Sequence, residues 1–143
     1  VGTGKTHLLA AIANCLLTTK YRPVYHVLPE LLRHLRQGFD AGDYQRRWED
    51  VRSAEVLLLD DYGAEQSTPW GDETLFTLVD YRWAYRLPTV VATNLIDEAM
   101  PARIASRLHD RARSRVITMR GGDYRRSAQR AAERTPTAAA PAS

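Results

Sequence analysis

A three-layer α/β sandwich built on a parallel sheet is the fold class this sequence predicts, on three observations. Val56-Leu57-Leu58-Leu59 is an unbroken apolar run, the mark of a strand buried on both faces. Short apolar runs alternate with segments of helical periodicity along most of the chain, as βαβ units require. Gly2-Thr3-Gly4-Lys5-Thr6 opens an amphipathic stretch, the context in which a glycine-rich loop cradles phosphate at a helix N-terminus.

Taken in order, Leu8, Leu9, Ile12, Ala13, Leu16 and Leu17 recur at helical spacing and predict a helix from the loop to about Thr18. Cys15 falls within it and is expected to be a buried, inert thiol. Val24 to Val27 reads as a short strand ended by Pro29. A helix carrying Leu31, Leu32 and Leu35 follows, expected to break at Gly38 and Gly42, and a polar helix spans Tyr44 to Arg52. After the Val56–Leu59 strand, Leu75, Leu78, Val79 and Trp83 place a helix over Asp72 to Tyr85. Leu87-Pro88 ends it, and Thr89 to Thr93 is the next buried strand. Pro101 opens a helix through about Asp110, and Val116 to Met119 is expected as a last strand. The pattern then dissolves. Residues 1–125 are assigned to one domain, and residues 126–143, basic and then Ala/Pro-rich, to a disordered tail.

The 143 residues suit one domain, and 44% hydrophobic with 26% charged residues is ordinary for a globular protein. No run of 18 apolar residues suggests a membrane span. A single cysteine excludes an internal disulfide and any multi-thiolate metal site. The net charge is +3, and Lys5 and Lys20 are the only lysines. The arginine bias fits a compositional origin as well as phosphate-binding surfaces, and so mild a charge does not demand a nucleic-acid partner. The four histidines lack metal-ligand spacing.

The chemistry concentrates at the strand ends. The full phosphate-loop pattern is Gly, four residues, then Gly-Lys-Thr/Ser. Its leading glycine would sit two residues before Val1, so the sequence is expected to be a fragment. Lys5 would reach the β- and γ-phosphates, and Thr6 would place its hydroxyl on Mg²⁺. Asp60 and Asp61 close the apolar strand, and ligands of parallel sheets sit at such carboxyl ends. Asp60 would hold Mg²⁺ and Asp61 would polarise the attacking water, although Asp61 is a methylene shorter than the glutamate common there. Asn94 directly follows Thr93, where its amide could bond both the γ-phosphate and the water, or merely form a turn. Arg103, Arg107 and Arg111 share a helical face that is ordinarily solvated, but from which an arginine could enter a neighbour's site.

These segments together resemble an AAA+ ATPase of the DnaC/DnaI-like helicase-loader family, related to IstB ATP-binding proteins. The resemblance rests on Val1–Thr6, Leu57–Glu65, Leu87–Leu95, Arg103–Leu108 and Gly122–Arg125, in that order. It implies a P-loop NTPase fold with an AAA+ core whose first strand is missing and which has no substantial lid. It further implies ATP hydrolysis with Mg²⁺ between subunits of a cytoplasmic oligomer, with Arg107 acting in trans. Single-stranded DNA and a replicative DNA helicase are the implied partners. Arg33, His34 and Arg36 are possible phosphate contacts, on a helix as compatible with plain solvation and with little aromatic interleaving to stack bases. A transposase-assisting ATPase and a nucleotide-gated module with little turnover are the alternatives. Without a first strand the isolated chain is expected to be poorly soluble and to bind ATP weakly.

Overall fold

The computed structural model describes residues 2–64, 67–95 and 99–119. Three parallel strands, β1 (Pro23–Val27), β2 (Val56–Tyr62) and β3 (Thr89–Thr93), lie in the order β1-β2-β3. Helix α1 (Lys5–Leu17) covers one face. Helices α2 (Leu28–Ala41), α3 (Tyr44–Arg52), α4 (Pro69–Ala84) and α5 (Ala102–Leu108) gather on the other. The predicted three-layer parallel architecture is therefore present.

The side chains of β2 divide the two faces by simple alternation. Leu57 and Leu59 join the larger core with Leu28, Leu31, Leu35, Leu75, Leu78 and Ile104. Leu58 turns the other way, onto Leu9 of α1 and Ala92 of β3. All three leucines are fully buried, which is why the strand reads as a continuous apolar run. Each such side chain contributes about 1.5–3 kcal/mol of transfer free energy.

Four expectations change. Cys15 is exposed, because α1 turns Leu9, Ile12, Ala13 and Leu16 inward and Cys15 lies off that stripe. Pro29 does not end a strand by itself. It sits in the first turn of α2, where its missing N–H costs nothing. Gly38 stays inside α2, buried, and only Gly42, at φ 72°, ends the helix. A Cβ on Gly38 would stand 2.8 Å from the Cα of Tyr44, so this glycine lets α3 approach α2. Val116 to Met119 forms no strand; Val116 and Ile117 are 61% and 70% exposed. The segment instead runs past the phosphate loop, with the Met119 methyl 3.9 Å from where a Gly4 Cβ would be. The readings of residues 120–143, of Glu65 and of Val1 lie outside the described residues.

A candidate nucleotide site at the carboxyl ends of the strands

Helix α1 runs antiparallel to the strands. It ends at Leu17, five residues before β1, and its second turn, at Leu9, packs on Leu58 and on Ala92 near the end of β3. Its N-terminus therefore lies at the edge where β2 and β3 end. Gly2 and Gly4 have φ of 79° and 88°, left-handed values that curl the chain into the helix. Gly4 is the N-cap and offers no side-chain hydrogen bond to the first turn. The N–H groups there are left for an anion, with the helix dipole behind them. Lys5 folds back within the loop, donating from Nζ to Thr3 Oγ1 at 3.2 Å, while Thr6 is exposed.

Asp60 and Asp61 do not simply end a strand, as their sequence position suggested. They occupy a bulge. Leu59 pairs with Val91 and Tyr62 with Thr93, so β2 spends one more residue than β3 over that interval. Asp61 takes up the extra length at φ 57°, a left-handed conformation that aspartate tolerates better than most residues. The bulge sends the two carboxylates apart. Asp60 is 2% exposed on the α1 face, whereas Asp61 is exposed to solvent.

Asp60 is held at both oxygens. Oδ1 accepts the backbone N–H of Asp61 at 2.9 Å, and Oδ2 accepts the Tyr25 hydroxyl at 2.7 Å. Tyr25 lies opposite Leu58 in the β1–β2 ladder, so its ring reaches the same face one pleat further on. Partial burial, that hydrogen bond and the charges of Asp60, Asp61 and Glu30 push its phenol up to about 12, so it is a donor at neutral pH. No local sequence signal marks Tyr25; only the ladder register brings it to Asp60.

Asn94 is exposed just beyond β3, on the same edge. Thr93 fixes the turn into it. The Thr93 hydroxyl donates to the Tyr62 carbonyl at 2.8 Å and accepts the Leu95 N–H at 2.9 Å. Gly63 completes this packing at φ 92°, because a Cβ there would lie 2.4 Å from Leu95 Cγ. The phosphate loop, Asp60, Asp61 and Asn94 are thus brought to one edge of the sheet. The available donors, the Thr6 hydroxyl and the buried Asp60 carboxylate, are hard oxygens. Among the described residues no cluster of His, Cys, Asp and Glu forms a metal cage. Mg²⁺ carried on phosphates needs none, since one or two carboxylates suffice. The residues fit that ion.

Arg107 is not part of this edge. Its Nε donates to Asp80 Oδ1 at 2.7 Å, and its guanidinium lies 4.7 Å from the Trp83 ring centroid. Both partners sit in the last turns of α4. Arg107 and Trp83, with Leu87, Pro88 and Thr89 at the start of β3, border a cavity of ≈ 810 Å³. The length of β3, ~13 Å at 3.3 Å per residue, separates that end from Asn94. Arg103 is bound to Glu73 at 2.7 Å, and Arg111 is exposed.

On α2, Arg33, His34 and Arg36 are all exposed. The aromatic interleaving that looked thin in the sequence is supplied by the fold. Phe39 stacks on Tyr44 at 4.2 Å, Tyr44 on Trp48 at 6.4 Å, and Phe39 meets Trp70 edge-on at 6.1 Å. Arg36 covers Trp70 at 4.8 Å.

Comparison with known proteins gives the family and the fold. Residues 1–132 match the family described as IstB-like ATP binding protein. The chain is 37% identical over 94 residues to the replicative helicase loader DnaI of Bacillus subtilis, covering 65% of this chain and 30% of DnaI. It is 27% identical over 114 residues to the replicative helicase loader DnaC of Escherichia coli, covering 78% of this chain and 46% of DnaC. It therefore spans less than half the length of either loader. A crystal structure of the DnaC helicase loader superposes with a TM-score of 0.73 at 20% identity, over 83% of this chain and 73% of that one. The replication initiator DnaA, bound to AMPPCP and single-stranded DNA, does so at 0.68 and 24% identity, over 75% of this chain and 34% of that one. The fold is thus the AAA+ P-loop NTPase core. With its phosphate loop, buried strand-end aspartate and matched length taken together, the chain belongs to the IstB-like ATP-binding protein family, homologous to the DnaI and DnaC helicase loaders.

Proposed function

We propose that this domain hydrolyses ATP at an intersubunit site within a cytoplasmic helicase loader, acting on single-stranded DNA and a replicative helicase. The observation that carries the reading is the shared edge of the phosphate loop, Asp60, Asp61 and Asn94, with Arg107 held at the opposite end of the strands. An arginine so far from its own phosphate loop has no role in cis and suits a neighbour's nucleotide.

In this reading Gly2, Thr3 and Gly4 wrap the phosphates with backbone N–H groups, and Lys5 leaves Thr3 to reach the β- and γ-phosphates. Thr6 and Asp60 would hold Mg²⁺, which neutralises charge on the phosphates when bound. Asp61, exposed and turned out by the bulge, orients and polarises the attacking water. Asn94 donates to the γ-phosphate and positions that water. Arg107 of the adjacent subunit stabilises the charge that spreads over the transferred phosphoryl group, an effect of about 10³–10⁵ in rate. The aromatic and arginine surface of α2, α3 and the start of α4 suits unpaired bases, which stack on aromatic rings regardless of sequence. This supports single-stranded DNA as a partner.

The test is subunit mixing in the full-length protein, with single-stranded DNA present. Arg107→Ala and Asp61→Asn should each bind ATP and lose turnover, and their mixture should recover part of it. Each lacks what the other supplies across an interface. Normal hydrolysis by Arg107→Ala alone, or no recovery on mixing, would remove the trans assignment. Wild-type protein that never turns ATP over would be a nucleotide-gated binding module instead.

A further inference from the structure

We infer that Asp80 and Trp83 are positioning residues for Arg107, presetting its guanidinium for the neighbouring subunit's nucleotide. The inference rests on the trans reading of Arg107 above and adds what makes that arginine competent. A free arginine on a short helix samples many rotamers and would have to be ordered at each encounter. Here it is ordered beforehand. Asp80 Oδ1 takes the Nε–H at 2.7 Å, Ser106 Oγ takes one Nη1 hydrogen at 3.1 Å, and Cζ lies over the Trp83 ring, 4.7 Å from its centroid.

The way the carboxylate binds decides between a brace and a mask. A carboxylate gripping both Nη groups would occupy the fork that recognises phosphate. Asp80 instead takes Nε, at the base of the fork. Among the described residues no acceptor takes Nη2 or the second Nη1 hydrogen, which leaves them for a phosphate oxygen.

Trp83 is itself fixed. Its indole N–H donates to Asp110 Oδ2 at 3.2 Å, and Arg113 lies 4.2 Å from the ring centroid while donating to the Trp83 carbonyl at 3.2 Å. The backbone of Arg107 is tied as well, its carbonyl accepting the Ser114 hydroxyl at 3.2 Å. Side chain and main chain of this one residue are thus held from α4 and from the segment after α5. Arg107 is 31% exposed and Asp80 40%, so the pair is reachable from outside and is not a core salt bridge. At such exposure the ion pair has little weight as a stability device. Orientation is the role left for it.

The experiment compares kcat and KM for ATP in the full-length protein with single-stranded DNA. Arg107→Ala should lose turnover about 10³-fold or more. Asp80→Asn should lower kcat about 10- to 100-fold, the size typical of partners that orient a reacting group, with KM and ATP affinity unchanged. Asp80→Glu, which keeps the charge, should recover part of that loss. In an Arg107→Ala background, Asp80→Asn should cost nothing further, since no guanidinium remains to be positioned. Trp83→Leu provides the same kcat-only loss by an independent route should Asp80→Asn fail to fold. If Asp80→Asn keeps wild-type kcat while Arg107→Ala is inactive, the positioning inference is wrong and the trans finger stands. An equal further drop in the double variant would reduce Asp80 to a structural residue. Normal turnover by Arg107→Ala would remove both.

Discussion

Asp60 is held by two donors that come from different strands, and the consequences differ for each. The Asp61 N–H belongs to the bulge and survives any side-chain change. The Tyr25 hydroxyl does not. A carboxylate oxygen has two lone pairs, so the 2.7 Å bond to Oδ2 orients the group and still leaves it a free site. Tyr25→Phe should therefore loosen Asp60 rather than unmask it. The Mg²⁺ concentration needed for tight nucleotide binding should rise about 10-fold or more, with Mg²⁺-free nucleotide binding unchanged. Titrating Mg²⁺ against a fluorescent ATP analogue reads this directly, and an unchanged Mg²⁺ requirement would dismiss Tyr25. The residue types of this site were legible in the sequence, because Gly-Lys-Thr and an apolar run ending in Asp-Asp carry their chemistry in order. Tyr25 was not, since its approach to Asp60 depends on ladder register across 35 positions. Nor was the bulge, which separates two adjacent aspartates into a buried and an exposed one.

At the scale of elements, periodicity located what packing reinforces. The bounds of α3 and β3 are the predicted ones, because each is a short segment closed by turn chemistry. Val116 to Met119 had the composition of a strand and no ladder to join, and composition without an edge does not make a strand. Gly38 misled for the opposite reason. Helix propensity marks glycine as a break, yet α2 continues through it because α3 needs the space its side chain would fill. This gives a prediction with a contested sign. Gly38→Ala gains about 1 kcal/mol of intrinsic helix propensity. Against that, the new methyl meets the Tyr44 Cα at 2.8 Å, and backbone cannot give way as a side-chain tip can. Overpacking of that kind costs about 1–3 kcal/mol. The clash should prevail, lowering stability by about 1 kcal/mol net. It should also shift Tyr44 and thereby disturb the Phe39–Tyr44 stack. Urea denaturation of the variant measures the first effect, and a stabilised Gly38→Ala protein would show that α3 can move away from α2 to admit the methyl group.

For the molecule as a whole, one side chain that no motif announces connects the layers. Arg82 sits in α4, is 1% exposed and, among the described residues, bonds carbonyls and one hydroxyl with no carboxylate partner. Its Nη1 faces the carbonyls of Arg52 and Ala54 at 2.9 and 2.8 Å, where α3 ends and β2 is about to begin. Nη2 donates to the Pro88 carbonyl and Nε to the Thr89 hydroxyl, both at 2.8 Å. The guanidinium thus replaces water for carbonyls at the end of α3 and just before β2 and β3, and the favourable dipole at the α3 C-terminus helps hold its charge. Burial pushes its pKa down to about 10, which still leaves it charged at neutral pH. In sequence Arg82 is one more arginine in a helix, and nothing local separates it from the exposed Arg86. Arg82→Met keeps the apolar stem and takes the guanidinium donor from the Arg52 and Ala54 carbonyls, at about 1–3 kcal/mol each, while the Pro88 carbonyl still accepts the Leu57 N–H. With partial relaxation the loss should be about 2–4 kcal/mol, a large fraction of a typical domain's stability of about 5–15 kcal/mol. Arg82→Lys should recover only a fraction, because one ammonium cannot reach the carbonyls before β2 and the one before β3 at once. Thermal and urea unfolding of both variants check this. A loss below about 1 kcal/mol for Arg82→Met would mean that water reaches these carbonyls, and that the α3–β2 and α4–β3 connections are held by the leucine core alone.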